Sequence, residues 1–141
     1  MSVKQISVFL ENKPGALRDM TRVLAEHEID MRAFSLAEAS DFGIARVIVD
    51  DIYKTTTVLR DAGFIHSVSP VLAVALPDTP GGLNAILDCL SGAAINVEYM
   101  YAFLGNTPGK AYMVFRVQDP AAASAALRQQ GIAPLEELNV I

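Results

Sequence analysis

Cysteine and histidine are scarce in this chain of 141 residues: Cys89 stands alone, and the histidines are His27 and His66. One thiol cannot build an internal disulfide framework, and it excludes a cysteine-rich zinc site. Positive charge is also short, with 11 Lys and Arg against 16 Asp and Glu and a net charge of -5. A nucleic-acid backbone calls for a basic surface, and no helix-turn-helix segment is present, so nucleic acid is not an expected partner. Long apolar runs are missing too. The longest, residues 71–76 and 92–95 with their neighbours, are far too short for a membrane span. The opening Met1-Ser2-Val3-Lys4-Gln5 lacks the apolar core of a signal peptide. The expectation is a cytoplasmic protein with no membrane partner.

What is present is enough apolar material for a core: 52% of the residues are hydrophobic and 19% charged, which is not the composition of a disordered chain. The length fits one ordinary domain or two small ones. Residues 3–10 alternate, with Ile6, Val8 and Leu10 on one side and Gln5, Ser7 and Phe9 on the other, as in a half-buried strand. Asn12-Lys13-Pro14-Gly15-Ala16-Leu17 follows. Pro14 pre-sets a turn without losing a needed N–H, and Gly15 lets a small ligand approach the backbone. A helix over 16–27 carries Leu17, Met20 and Leu24 as its apolar stripe. Strands are expected over 29–38 and 43–49, joined through Ser40-Asp41, then a helix capped by Asp50 or Asp51 and ended near Gly63.

The same order then returns. Residues 71–76 serve as a strand, 81–93 as a helix with Leu83, Ile86, Leu87 and Leu90, and 95–104 and 110–117 as a hairpin pair. Asp119-Pro120 opens an Ala-rich helix to Gln130, and 135–141 is the closing strand. Asp78-Thr79-Pro80-Gly81-Gly82-Leu83 repeats the first turn 66 positions on, as Pro14 to Pro80 and Leu24 to Leu90. Beyond the hairpin the offset is 68, as Asp51 to Asp119 and Gly63 to Gly131, so the second hairpin loop is two residues longer. A duplication with one loop change accounts for both offsets. Each half is then a ferredoxin-like βαββαβ unit of α+β class, with both helices on one face of a four-stranded antiparallel sheet. The expected division is 1–69 and 70–141, with one long strand within 65–76 shared by the two repeats.

No catalytic constellation assembles. His27 and His66 have no cysteine or paired carboxylate at ligand spacing, and read as surface histidines. Cys89 lies beside an apolar stripe and reads as a small core residue. Asp50-Asp51 reads as a capping pair, since nothing supplies further metal ligands. Gly105 to Lys110 lacks the context of a phosphate loop and reads as a hairpin turn or flap. The two Pro-Gly turns remain. A lone Pro-Gly turn is only a helix beginning, but two copies, each after a strand and each with Asn or Asp two residues before the proline, point to a ligand site. Helix N–H groups there suit a carboxylate, and the Asn or Asp side chain suits an α-ammonium group.

Residues 10–17, with Ile29-Asp30-Met31 and the strand over 43–51, resemble an ACT domain, a small amino-acid-sensing module of metabolic enzymes. Residues 76–83 with Ile95-Asn96-Val97 resemble a second, so nearly the whole chain is similar to the stand-alone tandem ACT proteins of bacteria. The resemblance implies two repeats side by side, with ligand held where the first loop of one repeat meets the start of strand two in the other. Carried over residue by residue, the loop Asn of serine-sensing members is Asn12 and becomes Asp78. The strand-two Asn is Asp30 and then Asn96, and the loop His is replaced by Leu10 and Leu76, which argues against serine. Asn12 would face Asn96 and Asp78 would face Asp30, so two unequal sites are expected, because paired aspartates repel a carboxylate. The implied ligand-binding residues are Asn12, Pro14, Gly15, Ala16, Leu17, Asn96 and Val97, with Asp30, Met31, Asp78, Gly81, Gly82 and Leu83. The expected function is non-catalytic amino-acid sensing, without metal or cofactor, in a homodimer suggested by free sheet edges. The alternative is a regulatory subunit acting through contact with a metabolic enzyme. Leu10, Leu17, Met31, Leu83 and Val97 lean toward an apolar or aromatic amino acid.

Overall fold

The computed structural model describes residues 3–103, 105 and 107–136. They form two compact units, one of residues 4–69 and one of the described residues from 70 to 136 with Val3.

In the first unit, β1 (Val3–Glu11) leads through the Pro14-Gly15 turn into α1 (Ala16–Glu26), followed by β2 (Met31–Ala39), β3 (Phe42–Val49) and α2 (Ile52–Asp61). β3 pairs antiparallel with both β1 and β2, so β3 is central and β2 is an edge. The alternation of β1 places Ile6, Val8 and Leu10 against Met20 and Leu24 of α1 and Leu59 of α2. Both helices therefore cover one sheet face. Burial of these side chains supplies most of the drive for the unit, at roughly 1.5–3 kcal/mol for each large aliphatic side chain.

β4 (His66–Pro77) is a single strand of 12 residues, whose start closes the first repeat and whose remainder opens the second. The Phe9 N–H donates to the Ile65 carbonyl at 2.9 Å just before it begins. In the second unit α3 (Gly82–Gly92), β5 (Tyr99–Phe103), β6 (Lys110–Arg116) and α4 (Pro120–Gln129) follow. β6 pairs antiparallel with β4 and β5. Leu72, Val74 and Leu76 meet Ile86 and Leu90 of α3 and Leu127 of α4, which is the first unit's core rebuilt. Leu135 donates its N–H to Ala73 at 2.8 Å, and residues 137–141 of the expected closing strand lie outside the described residues, as do Leu104 and Asn106 of the second hairpin.

The duplication extends to individual hydrogen bonds. The Asn12 N–H donates to Asp41 O and the Asp78 N–H to Gly109 O, so the donor moves by 66 and the acceptor by 68. The two-residue insertion thus falls inside the hairpin. Asp51 caps α2 by accepting from the Lys54 N–H, and Asp119 caps α4 by accepting from the Ala122 N–H. Replacing either aspartate by alanine is expected to lower stability by about 1 kcal/mol. The two caps share no partner, so the double variant should lose their sum in urea denaturation.

Both second strands begin later than the periodicity of the sequence predicts, at Met31 rather than residue 29 and at Tyr99 rather than residue 95. The reason is the preceding helix end. Glu28 and Ala94 adopt positive φ, 55° and 58°, and the N–H groups of Ile29 and Ile95 turn back to Leu24 and Leu90 at 3.0 and 2.9 Å. Residues 29 and 95 therefore finish helices instead of starting strands.

Candidate functional site

Four helices begin in two different ways. Aspartate side chains cap α2 and α4, whereas α1 and α3 have left-handed glycines, Gly15 at φ 87° and Gly81 at φ 86°, and no side-chain cap. An uncapped start leaves backbone donors open, with the positive end of the helix dipole behind them. The donors left open are shifted inward from the turn itself. The Ala16 N–H is taken by Lys13 O at 3.3 Å and the Gly82 N–H by Thr79 O at 3.0 Å. Leu17 and Arg18 in α1, and Leu83 and Asn84 in α3, are the next donors, and their N–H groups make no hydrogen bond among the described residues.

Asn12 and Leu17 border a cavity of about 180 Å³ in the first unit, together with Leu10, Glu11 and Lys13. Its remaining wall is Leu36, Ala37 and Glu38 of β2 and Gly43 of β3, which the reading of the sequence did not include. Pro14 lies in the turn that shapes the approach. The Asn12 side-chain NH2 donates to Ser40 O at 3.0 Å, so this amide ties the loop to the β2–β3 turn, and its Oδ1 has no donor among the described residues. Lys13 and Glu11 form an ion pair at 2.9 Å on the rim. The hydrogen bond that the Lys13 ammonium donates to Glu11, and then the charge of that carboxylate, hold the Lys13 pKa above its ordinary value. The Asp78 N–H donates to Gly109 O at 2.9 Å, in the same relation to its hairpin as Asn12.

Asp30 and Met31 lie at the other end of the first sheet. Met31 pairs with Val49, whereas Glu11, just before Asn12, pairs with Phe42. Seven residues of β3 separate these positions, about 23 Å at strand spacing. The second unit repeats this: Pro77 pairs with Lys110 and Tyr99 with Arg116, so Asp78 and Asn96 are also at opposite ends, about 20 Å apart. No free amino acid touches both groups within one repeat. Asp30 is also not a bare carboxylate, because Arg32 pairs with it at 2.9 Å and the Asp30 N–H donates to Asp50 at 3.1 Å. Asn96 is exposed and borders two hollows of about 350 and 410 Å³, the second of which Val97 also lines.

Other titratable side chains have local duties. His27 Nδ1 lies 2.9 Å from Val23 O, His66 Nδ1 lies 3.0 Å from Phe64 O, and the Cys89 thiol donates to Ala126 O at 3.3 Å. Among the described residues no group of three His, Cys, Asp or Glu is placed to hold a metal, and no helix is long and apolar enough to cross a membrane.

The model of one family, described as an ACT domain pair, matches residues 1–140. The chain belongs to this family. An ACT pair is a regulatory module, and the six strands and four helices seen among the described residues are its two ferredoxin-like repeats. The chain is similar to protein BT0572 from Bacteroides thetaiotaomicron, with 37% identity, a TM-score of 0.89, and 96% of this chain and 92% of that one covered. The regulatory subunit of aspartate kinase from Thermus thermophilus shares the fold at 15% identity and TM-score 0.66, covering 91% of each chain. That from Thermus flavus does so at 16% identity and TM-score 0.64, covering 92% of each. Nothing among curated proteins matches this ACT pair in sequence.

Proposed function

We propose that this ACT pair is a non-catalytic sensor that binds a free amino acid through its first loops, Asn12 to Leu17 and Asp78 to Leu83. The observation that carries this reading is the contrast between helix starts: α2 and α4 are closed by aspartate, while α1 and α3 are left open in both repeats. A carboxylate completes the open donors, and Asn12 Oδ1 or the Asp78 carboxylate accepts from an α-ammonium group. Because Asp30 and Asn96 lie far from their own loops, any contribution of Asp30, Met31, Asn96 or Val97 comes from a different repeat, of this chain or of a second copy. The two loops are unequal, since the neutral Asn12 suits a zwitterion better than Asp78 does.

Ligand binding then acts by differential affinity, favouring one arrangement of the chain, its homodimer or a partner enzyme over another. The fold shared with regulatory subunits of aspartate kinase supports a metabolic enzyme as that partner. A thermal-shift series over the twenty amino acids tests the reading. A ligand at one hundred times its Kd adds about 2.7 kcal/mol and raises Tm by several degrees. Asn12→Ala is expected to weaken binding by about 1.5–3 kcal/mol in calorimetry. Unchanged affinity in that variant removes Asn12 from the site.

A further inference from the structure

The cavity of the first repeat is hollow for a reason visible in its strand register. Across the three strands the helix-side rows run Leu10–Gly43–Glu38 and Val8–Ala45–Leu36. The central position of the first row has no side chain, and that of the second has a methyl group. A Cβ on Gly43 would stand 3.4 Å from both Leu36 Cδ1 and Ala37 O. The missing atoms leave a trough between Leu10 on one side and Leu36 and Glu38 on the other, with Leu17 at its end. Leu36 is 52% exposed although it lies on the core-facing side of its strand, so α1 does not reach over it. Among the described residues the Glu38 carboxylate has no ion pair or hydrogen bond, whereas the charges of Glu11 and Lys13 satisfy each other.

Resting on the reading of the chain as an amino-acid sensor, we infer that this trough selects an L-amino acid with an aliphatic side chain. Glu38 is the counter-charge to its α-ammonium group, beside Asn12 Oδ1. Leu36, with Leu10 and Leu17, is the wall its side chain packs on. The open N–H groups of Leu17 and Arg18 take the carboxylate. A volume of about 180 Å³ lies below that of drug-sized pockets, which suits a small ligand. An acidic side chain would meet Glu38, and a polar one would leave its groups unpaired against three leucines. Among the described residues the second repeat builds the equivalent place from different side chains. Its register places Ala102, paired with Met113, where Leu36 pairs with Ala45, and Ala111 stands where the first repeat has Gly43. Thr79 replaces Lys13, so the wall and the rim charge are both changed.

The test is calorimetry on the full chain with leucine, isoleucine, valine, alanine, phenylalanine, aspartate and 4-methylpentanoate, the last being leucine without its amino group. The expected result is tightest binding by the three branched amino acids, with 4-methylpentanoate far weaker. Leu36→Ala should cost at least about tenfold in leucine affinity, because a pocket reads even one methylene at that level. Glu38→Gln should weaken leucine and leave 4-methylpentanoate unchanged, narrowing the gap between them. Both residues are exposed, so the unliganded Tm of each variant should stay near that of the parent. Tightest binding by phenylalanine, aspartate or another amino acid, or leucine affinity indifferent to both substitutions, would overturn the aliphatic assignment and leave the sensor reading standing. Failure of all twenty amino acids to raise Tm in the thermal-shift series would overturn the sensor reading and this inference with it.

Discussion

Replacing Phe115 by alanine is expected to lower the stability of the chain by about 3–5 kcal/mol, which for a domain of ordinary stability leaves little margin. Phe115 is fully buried and is the largest such side chain among the described residues. It faces Leu72 across β4 and Met100 across β5, and packs in the cluster that holds α3 and α4 on the sheet. The duplicate position is Val47, also fully buried, where β3 meets Ile6 and Phe34. One repeat therefore places its aromatic ring on the central strand and the other places it, as the half-buried Phe34, on the edge. Truncating Val47 removes far fewer atoms than truncating Phe115, so its cost should be clearly smaller. Urea denaturation measures both. A loss below about 1 kcal/mol for Phe115→Ala would mean that the second core collapses around the gap, against the close packing assigned to it.

Most of the architecture was legible because it rests on local periodicity. Alternation in β1 and the stripe of Leu17, Met20 and Leu24 need no knowledge of partners, and the change of offset from 66 to 68 located the loop insertion before any hydrogen bond was seen. The element starts were less legible. Glu28 and Ala94 take positive φ without being glycine, so nothing in their identity signals the extra helical turn that delays β2 and β5. The candidate site was half legible. Its loops show themselves by proline and glycine, but the opposite wall depends on which residues of β2 stand level with Leu10, and register is a property of pairing across 28 residues rather than of any segment. Gly43 was the available signal. A glycine inside a strand pattern marks a bulge or a space kept open, and here it keeps the trough open beside Glu38. The donor role of Asn12 toward Ser40 was hidden for the same reason, since the tie spans two loops that only the folded hairpin brings together.

Gly82→Val is expected to cost about 3 kcal/mol, through crowding rather than backbone strain. Gly81 and Gly82 divide the work of starting α3. Gly81 holds the left-handed φ of 86° with nothing within 4 Å of a Cβ built there, so a side chain has room but the wrong backbone. Gly82 has no such φ, but a Cβ there would overlap the Pro77 carbonyl oxygen and come within 3.3 Å of Leu76 Cδ1. A carbonyl in a strand that also pairs with Lys110 cannot move aside as a flexible side chain can. Valine adds two methyl groups to that overlap and a lower helix propensity. The first repeat provides the control, because alanine occupies the matching place at Ala16. Ala16→Gly should cost no more than about 1 kcal/mol of propensity, since there is no crowding to relieve. Thermal unfolding of the two variants side by side separates the effects. A Gly82→Val protein as stable as its parent would mean that Pro77 yields, and that the opening of α3 is set by Gly81 alone.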